Sequence, residues 1–206
     1  VQAITKLELS IGGILRNFAL KLGRVSEGGL TERVMELAED NLKLHATAKP
    51  ILDARRALRH ELASSEKLLG GLARTDRLCH LFMKMPGVGP IVALTVKAAI
   101  DDPNRLHSSK DVGPWAGLTP RREQSGERDI IGSISRAGDA GLRTVLYQAA
   151  MVMLHKGRPS WLTASALNVA KRRAMVALAR CIGVILHRMW RDEMPFRFTR
   201  AEPISS

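Results

Sequence analysis

Apolar residues recur at spacings of three and four along almost the whole chain, and that period admits helices and little else. Ile4, Leu7, Ile11, Ile14 and Phe18 step by 3, 4, 3, 4, and Leu58, Leu62, Ser65, Leu69 and Leu72 step by 4, 3, 4, 3. Both are heptad-like seams, which suit an antiparallel arm or a dimerising coiled coil over residues 1–74. Neither seam lasts the roughly three to four heptads of a firm coiled coil, so an ordinary bundle packed on the rest of the chain fits equally well. No strand-like run stands out, and the expected class is all-α, with a helical domain over residues 75–206.

Glycine, proline and capping residues divide the helices. Thr31 caps a helix from Glu32 to about Leu44, and Pro50 suits the first turn of the next. Thr75-Asp76 opens a short helix that ends in Met85-Pro86-Gly87-Val88-Gly89-Pro90, after which Ile91, Leu94, Val96 and Ala98 continue to a stop at Asp101-Asp102-Pro103. Helix, Gly-Val-Gly turn, helix is the layout of a helix-hairpin-helix. Gly87 and Gly89 would let the backbone approach a phosphate, and the following helix offers free N–H groups at its positive end. The same five residues also suit a tight interhelical turn with no ligand. Ser108 or Ser109 can cap a helix from Lys110 to Leu118, and a further helix runs from Asp139 to about His155. Ser160 caps another through Val169, and the basic joint Lys171-Arg172-Arg173 leads into an amphipathic helix bearing Met175, Leu178, Cys181, Ile182, Ile185, Leu186 and Met189.

One stretch breaks the pattern. From Thr119 to Ser135 the segment reads as a surface loop holding Arg121, Arg122, Ser125, Arg128, Ser133 and Ser135, with no period of either kind over Arg121 to Asp129, and with Arg136 and Arg143 just beyond. The net charge of +12 makes a polyanion the natural partner, and the basic candidates for DNA or RNA contact are Arg121, Arg122, Arg128, Arg136, Arg143, Lys171, Arg172 and Arg173. A membrane is excluded as a spanned partner, since no run approaches the ~20 apolar residues needed. Ser125, beside Gly126 and among three arginines, has what attack on a phosphodiester requires: an accessible hydroxyl, a slim backbone, and cations to lower the hydroxyl's proton affinity and balance phosphoryl charge. Ser133 and Ser135 are rivals, but they stand just before a helix, where capping or phosphate hydrogen bonding is the usual work. Cys79 and Cys181 lack a partner at metal-ligand spacing and read as buried free thiols of a reducing compartment; no metal site or cofactor is expected in this chain. No P-loop, HExxH or nucleophile elbow occurs.

The segments MPGVGPIVALTVKAAIDDPNRL and WAGLTPRREQSGERDIIGSISRAGDAGLRTVLYQAA resemble the C-terminal transposase domain of the IS-one-ten insertion-sequence family, also called IS one-one-six and IS nine-oh-two. The resemblance rests on Pro-Gly-Val-Gly-Pro, Gly-Leu-Thr-Pro-Arg, Gln-Ser-Gly, Ile-Ser-Arg-x-Gly-Asp and Leu-Arg-x-x-Leu-Tyr in order, with the basic final helix. It implies a serine nucleophile, which falls best on Ser125 in Gln-Ser-Gly, with Ser135 second. It implies DNA and a structured guide RNA as partners, a dimer or tetramer, a cytoplasmic, nucleoid-associated setting, and magnesium held by the acids of a RuvC-like domain. No RuvC-like segment is present and the chain lacks an initiator Met, so a piece of a longer transposase, incomplete alone, is expected. The alternatives are a non-catalytic helix-hairpin-helix module for DNA or RNA, and a coiled-coil adaptor whose basic face is incidental.

Overall fold

The computed structural model describes residues 2–26, 28–125, 128–156, 162 and 171–198, with the side chains of 121–125, 128–132, 156 and 171–173 set aside. The chain is mostly helical, as the apolar period requires. It divides into two compact units, Val1–Leu68 and Leu69–Ser206.

The first unit is built from α1 (Gln2–Asn17), α2 (Leu30–Leu37) and the greater part of α3 (Leu42–Thr75). Ile11 and Leu15 of α1 meet Leu30 and Val34 of α2 and Leu44, Ala48 and Leu52 of α3 in one apolar core. Of the first heptad-like seam, Ile11 is buried in this small bundle and Ile14 and Phe18 pack partly buried against it. Glu8 accepts from Arg55 at 2.7 Å, an ion pair that ties α1 to α3 where the arginine side chain is 5% exposed. The second seam is not covered in this way: Leu58, Leu69 and Leu72 lie exposed. Two boundaries differ from the sequence reading. The helix expected to run from Glu32 to Leu44 stops at Leu37, and Asn41 starts α3 by accepting from the Leu44 N–H at 3.0 Å. Pro50 therefore lies inside α3 instead of opening it. Gly29, not Thr31, stands at the start of α2.

In the second unit, Asp76 caps α4 (Arg77–Phe82), and α5 (Pro90–Ile100) follows the Pro-Gly-Val-Gly turn. Ser108 and Asp111 form a reciprocal capping box on a single 3₁₀ turn before α6 (Val112–Trp115). After the ribbon described below come α7 (Ala140–Lys156) and α8 (Lys171–Asp192). The core joins Phe82, Val92, Val96, Leu142, Leu146, Met153, Leu178, Ile182 and Leu186. Along α7 Leu142, Leu146, Ala149, Ala150 and Met153 are buried, while Val152 is exposed. Cys79 is buried, and burial pushes its thiol up to about 11, with the Asp76 carboxylate adding to the shift. Cys181 corrects the expectation: it is exposed, because the inward stripe of α8 runs through Leu178, Ile182 and Leu186 and leaves residue 181 on the flank. The helix expected from Ser160 to Val169 lies outside the described residues except at Leu162, which is buried.

Residues 120–134 are the main correction. The expected loop is an antiparallel pair of strands, β1 (Pro120–Ser125) and β2 (Arg128–Ile134). The strands are joined by backbone pairing, and neither alternates apolar with polar residues in the way that marks a half-buried strand. The partners run from Pro120 with Ile134 at the base to Ser125 with Arg128 at the far end, and the register slips by one residue between Pro120 and Arg122.

Candidate nucleic-acid interface

The ribbon is fastened at its base. The Ser135 N–H donates to Thr119 O at 2.8 Å, Arg136 N–H to Gly117 O at 3.2 Å, and Asp139 N–H to Trp115 O at 2.9 Å. Three residues there have left-handed backbone: Gly117 (φ 64°), Arg136 (φ 54°) and Gly138 (φ 131°). A side chain at Gly138 would collide with the Trp115 carbonyl, and one at Gly117 would come within 2.6 Å of Ala137 O. Glycine is needed at both for the chain to leave α6, run out and return beside it. Asp139 then accepts from the Leu142 N–H at 2.8 Å and starts α7.

This geometry separates the two candidate serines. Ser125 holds the last paired position of β1, opposite Arg128, while Ser135 lies at the base opposite Thr119. Six residues of strand at ~3.3 Å each put about 20 Å between them, so one reacting phosphate cannot serve both. Backbone pairing brings Arg128 opposite Ser125; the side chains of Ser125, Arg121, Arg122 and Arg128 lie outside the described residues. So do those of Lys171, Arg172 and Arg173, whose backbone forms the first turn of α8. Arg136 is exposed at the ribbon's base, and Arg143 reaches back to it from α7: its Nη1 donates to Ala116 O at 2.9 Å and Arg136 O at 3.2 Å.

The glycines of the 86–90 turn have different surroundings. Gly87 (φ 82°) is pressed on α7, where an added Cβ would strike the Ala149 carbonyl and lie 3.1 Å from Met153 N. Gly89 has nothing within 4 Å of an added Cβ and precedes Pro90, the first residue of α5. At the ends of α4 and α5 away from this turn Lys97 donates to Asp76, and that hydrogen bond, helped by the Cys79 N–H, holds the Asp76 carboxyl at about 2. The same bond raises Lys97 above its ordinary value.

Sequence reasoning missed one buried polar chain. His187, fully buried on α8, is 2.9 Å through Nδ1 from Ser109 Oγ and 2.9 Å through Nε2 from Pro103 O. A carbonyl only accepts, so Nε2 carries a proton, and with the ring neutral the Ser109 hydroxyl donates to Nδ1. The pair is enclosed and ties α8 to the segment before α6. Its only sequence signal was a histidine on the apolar stripe of α8. Among the described residues no group of three His, Cys, Asp or Glu side chains could hold a metal ion, and no helix is long and apolar enough to cross a membrane.

Residues 79–165 match the family described as Transposase IS116/IS110/IS902. The chain is 29% identical over 192 residues to the transposase for insertion sequence element IS1111A of Coxiella burnetii, covering 87% of this chain and 52% of the relative. It is 30% identical over 188 residues to the putative transposase y4pF/y4sB of Sinorhizobium fredii (82% and 46%), and 29% identical over 159 residues to a probable family 20 transposase of Pseudomonas aeruginosa (75% and 47%). The chain spans about half the length of the curated relatives it matches.

Proposed function

We propose that this chain, whose residues 79–165 belong to the IS116/IS110/IS902 transposase family, is the serine-bearing, nucleic-acid-gripping part of a DNA transposase. Its partners are DNA and a structured guide RNA, and it works as a dimer or tetramer. The observation that carries the reading is the ribbon: a two-stranded element fixed to the helices at its base with Ser125 at its far end, on strands that carry Arg121, Arg122 and Arg128 in a chain of net charge +12.

In this reading Ser125 Oγ attacks a DNA phosphorus. A P–O bond to serine forms as the P–O bond to the departing deoxyribose oxygen breaks; the serine proton passes to a base and the departing oxygen takes one up. Attack by the hydroxyl of the incoming strand reverses the exchange, so the bond energy is kept in the serine ester. Arg121, Arg122 and Arg128 balance charge on the phosphoryl oxygens, while Arg136 and the Lys171-Arg172-Arg173 turn hold the backbone on either side. Magnesium belongs to the RuvC-like partner domain of this reading. The described residues gather no ligand set that fits it, and no step here passes through it.

A second reading, a helix-hairpin-helix module without chemistry, is favoured by one observation: Gly89 is open at the N-terminus of α5, where free N–H groups suit a phosphate. A covalent trap separates the two. The chain is combined with a RuvC-like domain, magnesium, guide RNA and nicked DNA, and protein–DNA adducts are resolved on denaturing gels. The serine reading expects an adduct that Ser125→Ala abolishes and Ser135→Ala retains. A recombination-competent mixture without an adduct would leave only the binding module.

A further inference from the structure

The guanidinium of Arg143 stands where the two ends of the ribbon meet the helical unit. Nη1 donates to the carbonyl of Ala116, the residue that closes α6 before β1, and to the carbonyl of Arg136, the second residue after β2. Both acceptors need a partner. Ala116 is at the C-terminal end of a helix, where carbonyls lack intrahelical donors, and Arg136 has left-handed backbone outside any regular ladder. Gly117 keeps the approach open, since a Cβ there would lie 2.8 Å from Nη1. Arginine has the reach and the fixed, always charged donor geometry for two carbonyls on separate strands of chain.

We infer that Arg143 is a positioning residue: by tying the carbonyl before the ribbon to the carbonyl after it, it sets the direction in which the ribbon's serine end is presented. The inference rests on the reading of the ribbon as the reactive element. It gives Arg143 a task apart from gripping phosphate, because both hydrogens of Nη1 have acceptors within the protein. The backbone bonds around it, Arg136 to Gly117 and Asp139 to Trp115, depend on the same closure and share its fate.

The test uses the chain with Arg143→Ala and Arg143→Lys, and three measurements. Hydrogen exchange is followed at the amides of Ser135, Arg136 and Asp139 against those of α8. The salt dependence of DNA binding is measured, and so is the rate of adduct formation at saturating DNA. Loss of the tie in Arg143→Ala is expected to speed exchange at the three base amides while α8 keeps its protection, and to slow adduct formation about tenfold or more through misplacement of the reacting group. The slope of log affinity against log salt stays as it was, whereas loss of a phosphate contact would lower it by ~0.9. Arg143→Lys, which retains a charged donor, recovers part of both effects. Unchanged exchange at the base amides overturns the inference, and so does a lower salt slope with an unchanged rate at saturation. Loss of protection throughout the second unit also overturns it, by making Arg143 a core residue. If the unaltered chain forms no adduct in a recombination-competent mixture, the serine reading fails, and the exchange measurement alone decides whether Arg143 holds the ribbon.

Discussion

The 86–90 turn and the 120–134 ribbon both put glycine beside residues that suit a phosphate, yet they are held in opposite ways. The turn is pressed into the second unit: Gly87 lies on the backbone of α7, and Val88 belongs to the core. The ribbon's backbone ties to the helices gather at its base, among Gly117, Trp115, Arg136 and Asp139. A segment whose glycine is fixed by packing reports first on folding. One whose glycines fix only its exit and return can change its far end without disturbing the core. The turn is therefore the place to look for stability effects, and the ribbon the place to look for functional ones.

The largest expected effect falls on the turn. Gly87→Ala must shift a backbone carbonyl and hold a left-handed φ, and should cost the chain about 3 kcal/mol in urea unfolding. Gly89→Ala, in open space, should cost about 1 kcal/mol or less. Equal costs for the two would erase the contrast. His187→Ala comes next: it leaves the buried Ser109 hydroxyl and the part-buried Pro103 carbonyl without their partner, for a loss of about 2 kcal/mol.

A smaller effect follows pH. Asp76 has its carboxyl lowered from 3.8 to about 2, first by the Lys97 hydrogen bond. A depressed carboxyl contributes stability that is full above its unfolded value and is lost as pH falls through the folded one. The loss is therefore expected between about pH 4 and 2. Both side chains are partly exposed, so solvent screening reduces the contribution to roughly 1 kcal/mol. Asp76→Asn, which keeps a capping oxygen, should flatten that part of the acid-unfolding curve; an unchanged curve would show that the pair adds nothing. The smallest perturbation is chemical. A thiol reagent should modify exposed Cys181 in the folded chain and reach buried Cys79 only on unfolding. Equal rates would mean that α4 opens readily.

The helices were legible because their period is set by burial, and burial leaves its mark on every third or fourth residue. Phe82, Leu142, Leu146, Leu178 and Ile182 follow that rule. What the sequence hid was held by other forces. The ribbon's strands, Pro120–Ser125 and Arg128–Ile134, do not alternate apolar with polar residues, and the available signal was local: Gly126 as the first of two residues between Ser125 and Arg128, a pattern suited to a tight hairpin connection. Asn41 was an unread cap, and recognising it would have placed Pro50 within α3. The bonds from His187 to Ser109 and Pro103, and from Arg143 to Ala116 and Arg136, join residues distant in sequence or acceptors on the backbone, neither of which leaves a period.

The direct test of the serine reading is to digest the trapped protein–DNA adduct and map by mass spectrometry the peptide that retains a nucleotide phosphate. The account predicts that phosphate on Ser125, at the ribbon's far end. A phosphate on Ser135 would move the chemistry about 20 Å along the strand to the base, and one on any residue outside the ribbon would contradict the account altogether.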